Sequence, residues 1–455
     1  MIRKIICLVF ITILFSCSSE NNIETTEVTE EINLPELKTD EVTDITLYTA
    51  KAGGKLIASG DSEIIEIGIV VGLSKPPTTD DNLNKFILTP DNLGNFSITI
   101  TDIPANTTYY IRAYAINSEG IGYGNAVQFT SPKENVYNGT ITLSTQEEVN
   151  NFGSNNYTTV TGRMYIEGNV TSLEPLNSLV IIEGSLEINN TSNLENLIGL
   201  ENLKVTGINS LLGSSFEIRN NSSLVSLNGL NGLIEIGAHH LTISNNDNLI
   251  NLQGLNNLKI ITNSFDVRIG NNDNMVNLEG LEKLEKISGD LILDHFTKLN
   301  DLSALSNLYY IGGRIRISDN EILENINGLN SITSPLEGLE LYNNDNLTNL
   351  DGLKNVPDIS EIVMISNNDK LNDLSVFTNI NTVEFIHILD NDSLTNLEGF
   401  SNLSSVRSIY IEHNSKLIDF CGLKKLLTNN GVSLNFSIFE NLNNPSKDEI
   451  LKNCN

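Results

Sequence analysis

The chain has 455 residues, and its 57 Asp plus Glu against 27 Lys plus Arg leave a net charge of −30. Such a surface repels phosphate backbones and no basic stripe interrupts it, so nucleic acid is excluded as a partner. A hydrophobic content of 39% supplies real cores and excludes a disordered chain.

Arg3 and Lys4 precede an apolar run from Ile5 to Phe15 that is too short to span a bilayer and fits a secretory signal. The run closes on Leu14-Phe15-Ser16-Cys17, which resembles the lipobox of bacterial lipoproteins, with Phe15 as a bulky departure. That resemblance implies cleavage of residues 1–16, a lipid on Cys17, and an exported chain anchored at an outer membrane or cell surface. An ordinary signal peptide with a coincidental cysteine is the competing reading. Residues 17–37, rich in Glu and Thr, read as a solvated acidic tether. Some Bacteroidota lipoproteins carry acidic residues behind the cysteine as a surface-export cue. Glu20 is the one such residue close by here.

Residues 38–132 show alternating strand runs parted by turn clusters, the pattern of a β-sandwich. Phe96-Ser97-Ile98-Thr99-Ile100 leads through Pro104 into Tyr109-Tyr110-Ile111-Arg112-Ala113-Tyr114-Ala115-Ile116-Asn117, then Gly120, Gly122 and Gly124. This resembles the fibronectin type III domain of Bacteroidota surface proteins. It departs at Gly68–Ser74, which holds no Cys or Trp where relatives often do. Tyr110 and Tyr114 read as sandwich core rather than functional aromatics, and the domain as a spacer.

From Leu173 to Leu423 a short Leu-x-Gly-Leu element recurs eleven times, its second apolar residue at Leu176, Leu200, Leu230, Leu255, Leu281, Leu305, Leu329, Leu353, Phe377, Phe400 and Leu423. Spacings of 23 to 30 residues mark a solenoid, in which each coil buries its apolar face on the next. Most copies follow an alternating run closed by asparagine, such as Leu339-Glu340-Leu341-Tyr342-Asn343-Asn344. Period-two alternation means a strand with one face in the core and one in water. Gly and Asn recur too often for long helices, so the fold class is all-β: a sandwich, then a β-solenoid of about eleven coils with at most a short helical turn in each. At about 4.8 Å per strand that makes a rod on the order of 50 Å long. Asn221, Asn246, Asn272, Asn320, Asn344, Asn368, Asn391 and Asn414 fall in one column and can bond as a ladder, which Thr191 and Phe296 are expected to interrupt. The repeats, the opening Ile141–Phe152 and the first coil Gly162–Gly168 together resemble the receptor L domain, a leucine-rich-repeat-like, right-handed β-helix, over residues 137–455. The resemblance implies a right-handed solenoid over 137–417 and a carboxy-terminal cap over 418–455. It carries no ligand across, because a fold does not specify a function.

Cys421 and Cys454 are the only cysteines after Cys17, and in an exported chain an isolated pair reads as a disulfide. It would staple the last coil to the tail and seal the open end. Two buried free thiols are the alternative. No catalytic set is present: there is no Gly-x-Ser-x-Gly, no His-Glu-x-x-His and no phosphate loop. His413 lies near Cys421 but occupies the corner column, and the pair His239-His240 reads as surface rather than zinc site. Neither an enzyme nor a cofactor is implied.

Identical corners at Asn245–Asn248, Asn271–Asn274 and Asn343–Asn346 stack Asp247 on Asp273, and Asp345 on Asp369 and Asp392. Stacked carboxylates would suit calcium, but Asp capping an exposed turn in screened water is the preferred explanation, so no metal is expected. Outward strand residues are mostly polar in the early coils (Glu187, Asn189, Glu217, Arg219, Thr242, Ser244) and change to Tyr342, Met364, His387, Leu389 and Tyr410 in the late ones. Aromatic and Met enrichment on an exposed face is an interface signature. Cover by the tail or by another subunit is the competing explanation. The expected function is that of a surface-anchored, non-catalytic binding or adhesion protein with a protein or cell-surface ligand. A glycan-binding role in polysaccharide capture is the alternative, disfavoured by the absence of Trp and kept open by twelve Tyr.

Overall fold

A computed structural model describes residues 33–74, 76–208 and 213–454. The expected signal segment, Cys17 and the tether as far as residue 32 lie outside the described residues. The chain forms two compact units parted between Ser131 and Pro132.

The first unit packs two antiparallel sheets around a shared core. One sheet runs Glu36–Thr39, Ala50–Ala58, Asn95–Ile100, and the other Asn84–Ile87, Glu66–Gly72, Thr108–Asn117, Gly120–Thr130. Ala50, Ala52 and Ile100 from one sheet meet Ile69, Ile111 and Ala113 from the other, all fully buried. Alternation along Thr108–Asn117 puts Tyr109 in that core, stacked on Phe129 at 5.3 Å, and leaves Tyr110 half-buried. Tyr114 is fully buried, its hydroxyl donating to Glu66 at 2.8 Å.

The second unit is the solenoid, built on two parallel sheets. A long sheet of thirteen strands takes one from every coil, beginning at Ile141–Thr145 and ending at Val432–Phe439. A short sheet of eight two-residue strands runs from Val136–Tyr137 to Tyr310–Ile311. Two strands beyond the eleven counted repeats come from the entry segment and from residues 418–455, where Val432–Phe439 extends the sheet. Helix α1, Gln146–Gly153, opens the stack under a Thr145/Glu148 capping box and buries Val149 and Phe152.

The Leu-x-Gly-Leu elements form the third side of each coil. Several are single 3-10 turns, among them Asn327–Leu329, Asp351–Leu353 and Glu398–Phe400. Glycine is needed there because coils pack closely: a Cβ on Gly352 would sit 1.9 Å from the Ile326 carbonyl oxygen of the coil before.

Early coils turn from the short to the long sheet through glycine, at Gly184, Gly207, Gly237 and Gly312. In the late coils that corner is apolar and buried, at Leu336, Ile359, Val383 and Val406. There the chain stays extended and the two strands merge, whereas the coil at Ile260–Gly270, also without glycine at its corner, keeps two strands by turning at Asn263. Long-sheet strands accordingly lengthen from five residues (Ser215–Arg219) to eight (Ile359–Ser366, Thr382–Leu389, Ser405–Glu412).

The asparagine ladder is formed and fully buried. Asn344 is typical: its amide donates to the Ile317 and Tyr342 carbonyls and to Asn368 Oδ1, while its own Oδ1 accepts from Asn320. Thr191 does not interrupt the ladder as expected. Its N–H and hydroxyl both donate to Asn221 Oδ1, at 3.0 and 2.7 Å, because threonine still offers a donor at the column's end. Phe296 does break the side-chain chain, and only its backbone N–H reaches Asn320 Oδ1, at 3.3 Å. The residue before each ladder position takes left-handed φ, from Asn190 at 58° through Asn343 at 57° to His413 at 60°.

Candidate functional site

Register along the long sheet places the five late-coil residues on one outer face. Met364 pairs with His387 and His387 with Tyr410, forming one column; Tyr342, Ser366 and Leu389 form the adjacent one. All five named side chains are half-buried. A shallow open groove of about 410 Å³ runs over the last of these coils, lined by Ile362, Phe385, His387, Leu389, Tyr410 and Glu412. The tail does not lie across it: Val432–Phe439 extends the sheet sideways, with Asn435 donating to the Tyr410 hydroxyl at 2.9 Å.

Ile362 and Phe385, which sequence reasoning missed, form a third outward column, in register with Ser408 and Asn435. Period two itself assigns them to that face, two residues before Met364 and His387, and the reading of the sequence stopped short of them. The apolar corner residues were the sequence signal for the lengthening of these strands. The His387 ring meets Tyr410 edge-on at 4.9 Å, and the Arg407 guanidinium lies over Phe385 at 5.7 Å. Burial holds the His387 imidazolium down, against a smaller opposing pull from the Glu412 carboxylate, so the ring is neutral at pH 7.

Upstream, the same face is a lattice of ion pairs. Arg268 reaches Asp294 at 2.7 Å, Arg316 reaches Glu340 at 2.8 Å, and Arg314 bridges Glu340 and Glu361. Glu187 is pushed up, first by burial and then by Glu217 beside it. The polar early half and apolar late half meet near Glu340 and Tyr342, consecutive outward positions on one strand.

Asp247, Asp273, Asp345, Asp369 and Asp392 are exposed, at the corner beside the buried ladder. Asp369 is raised above the ordinary carboxylate value, first by partial burial and then by Asp345, Asp392 and Asp390. An open acidic groove of about 490 Å³ takes in Asp273, Asp319, Glu321 and Asp345. Among the described residues no group of three or more His, Cys, Asp or Glu is placed to hold a metal ion. His240 pairs with Asp266 at 2.8 Å, and His239 stacks on Phe265.

Cys421 and Cys454 are joined as a disulfide, with Cα atoms 5.3 Å apart, which removes both as thiol nucleophiles. His413 turns instead to Glu440, at 2.8 Å. Among the described residues no helix is long and apolar enough to cross a membrane.

Residues 136–259 match the receptor L domain family. No curated protein matches the chain. Among solved structures, the sensor domain of the anti-sigma factor RsgI4 from Pseudobacteroides cellulosolvens, in a short form, is 16% identical, covers 22% of this chain and 95% of its own, and has a TM-score of 0.17. A solution structure of that sensor domain is also 16% identical, over 22% of this chain and 76% of its own, at 0.18. A structure described as that of a myokine is 17% identical over 22% of this chain and 99% of its own, at 0.17. At such scores these likenesses carry no argument.

Proposed function

We propose that this chain is an exported, lipid-anchored binding protein of the Bacteroidota surface-lipoprotein type. In this reading a fibronectin type III-like spacer precedes a receptor L domain-like solenoid, whose late-coil face holds a protein partner without chemistry. The observation that carries the reading is the cluster of Tyr342, Met364, His387, Leu389 and Tyr410 on one outer face, in register over four strands and left open by the tail. Parallel sheet faces are normally covered, and an uncovered aromatic and apolar patch is where partners dock. The ion-paired early half supplies the polar border that such a patch has in protein interfaces.

Joint replacement Tyr342→Ser, Met364→Ser and Tyr410→Ser tests this, first on intact cells and then on whichever surface protein the wild-type chain captures. Removing three interface anchors costs about 2 kcal/mol or more, roughly a thirtyfold loss of affinity. Unchanged affinity overturns the reading. A glycan array run in parallel covers the second reading, favoured by the Tyr410 and Phe385 rings flanking an open groove beside the Glu412 carboxylate. Binding to sugars alone assigns the same face to polysaccharide capture.

A further inference from the structure

Among the described residues, the last strand of the long sheet, Val432–Phe439, pairs on one side only, with Ser405–Glu412. Its other edge is free, and free edges in natural sheets are guarded by charge, proline or a bulge. Here all eight residues, Val-Ser-Leu-Asn-Phe-Ser-Ile-Phe, are uncharged and none is proline, in a chain whose net charge is −30. The one bulge is confined to Val432–Asn435 and leaves Asn435–Phe439 in regular register, with the cation of Lys447 over the Phe436 ring.

The core is also unfinished at this strand. Phe436 and Ile438 continue the inward columns of Ile409 and Ile411, which are wholly buried, yet are themselves half-exposed. Leu434 is 62% exposed and Phe439 42%. The disulfide therefore staples the cap without sealing the end. Helix Lys447–Asn453 crosses only part of the opening and leaves a cleft of about 180 Å³ between Val432 and Lys447.

We propose that this edge pairs, antiparallel, with the same strand of a second copy of the chain. The strand is complementary to itself: a two-fold axis at Phe436 sets Leu434 opposite Ile438 of the copy and Phe436 opposite its equivalent. Such a contact is isologous and closes after two subunits. Charge permits it, because from Lys424 to Lys452 four lysines (Lys424, Lys425, Lys447, Lys452) face three carboxylates (Glu440, Asp448, Glu449). Elsewhere a strongly acidic chain repels its own copy. The sheet's opposite edge, Ile141–Thr145, exposes Thr142 and Thr145 rather than apolar side chains, so head-to-tail stacking has no matching surface.

Sedimentation equilibrium of the full-length chain over a concentration series tests the pairing. The wild type is expected at twice the chain mass. Leu434→Lys, at a position the single copy leaves exposed, is expected to halve that mass while the circular dichroism spectrum and the Cys421–Cys454 bond persist. Leu434→Ser is the milder variant, expected to weaken association at least tenfold, and it decides the matter if the lysine variant does not fold. A Tyr342→Ser control, four strands away, keeps the wild-type mass. A monomeric wild type, assemblies that grow beyond two copies, or a dimer that survives both Leu434 variants overturns the proposal. So does a dimer lost only in the Tyr342 control, which would move self-association to the late-coil face. The docking face meets this edge at Tyr410 and Asn435, but its anchors Tyr342 and Met364 lie four and three strands away, so failure of one leaves the other standing.

Discussion

Asn344 shows why single side chains matter more in a solenoid than their size suggests. Its side-chain amide joins three successive coils and donates to two buried backbone carbonyls. Asn344→Ala strands those groups in a dry interior, so a loss of about 2–3 kcal/mol is expected by urea unfolding. Asn272→Ala should cost less, because Phe296 supplies no amide acceptor on its far side. Asp369 behaves oppositely. Its pKa is raised above the usual 3.8, so folding disfavours the charged form and stability falls as pH rises through that region. Asp369→Asn should therefore stabilise the protein at neutral pH and lose its advantage below about pH 3.8. The gain should be a few tenths of a kcal/mol, since the group is exposed and screened. Thermal melts of both forms at pH 3 and pH 7, extended by a calcium titration, check this and ask whether the carboxylate column takes a cation.

Coils are the unit in which the outer face is assembled, and the corner between the two sheets sets its width. In the early coils strands run five to seven residues and the column nearest the corner is polar, at His240, Asp266 and Arg314; with Leu336, Ile359, Val383 or Val406 at the corner strands run seven or eight residues and that column turns apolar, at Ile362 and Phe385. The outward placing of Tyr342, Met364, His387, Leu389 and Tyr410 was legible in the sequence, because period two within each strand assigns a face without any partner. Ile362 and Phe385 obey the same alternation, two residues before Met364 and His387, and were passed over because only the structure shows how far toward the corner these strands extend. The cap is the other decisive element. Cys421 and Cys454 close a 33-residue separation, and a loop of that size restricts the unfolded chain by about 3–4 kcal/mol. Cys454→Ser should lower stability in urea by about that much, and peptide mapping of the wild type without reductant should return the linked pair. Two independently alkylated thiols would contradict the bridge.

At the scale of the whole molecule, stability is a sum over neighbouring coils, while the function proposed above depends on where the chain is held. Cys17→Ala is expected to move the protein from the membrane fraction to the soluble one, read by fractionation and by loss of the lipid mass. Retention in the membrane would refute the anchor. The sequence by itself determined the all-β class, the two-unit order and the repeat, because a period near 24 and strict alternation are local properties of the chain. It also placed the buried asparagines, since a column needs only the repeat length. Only the tertiary structure decided that Thr191 completes the ladder, that the late strands merge two sheets into one, and that Val432–Phe439 ends the stack with a bare edge. Each of those outcomes depends on what the neighbouring coil presents, and the last coil has no neighbour.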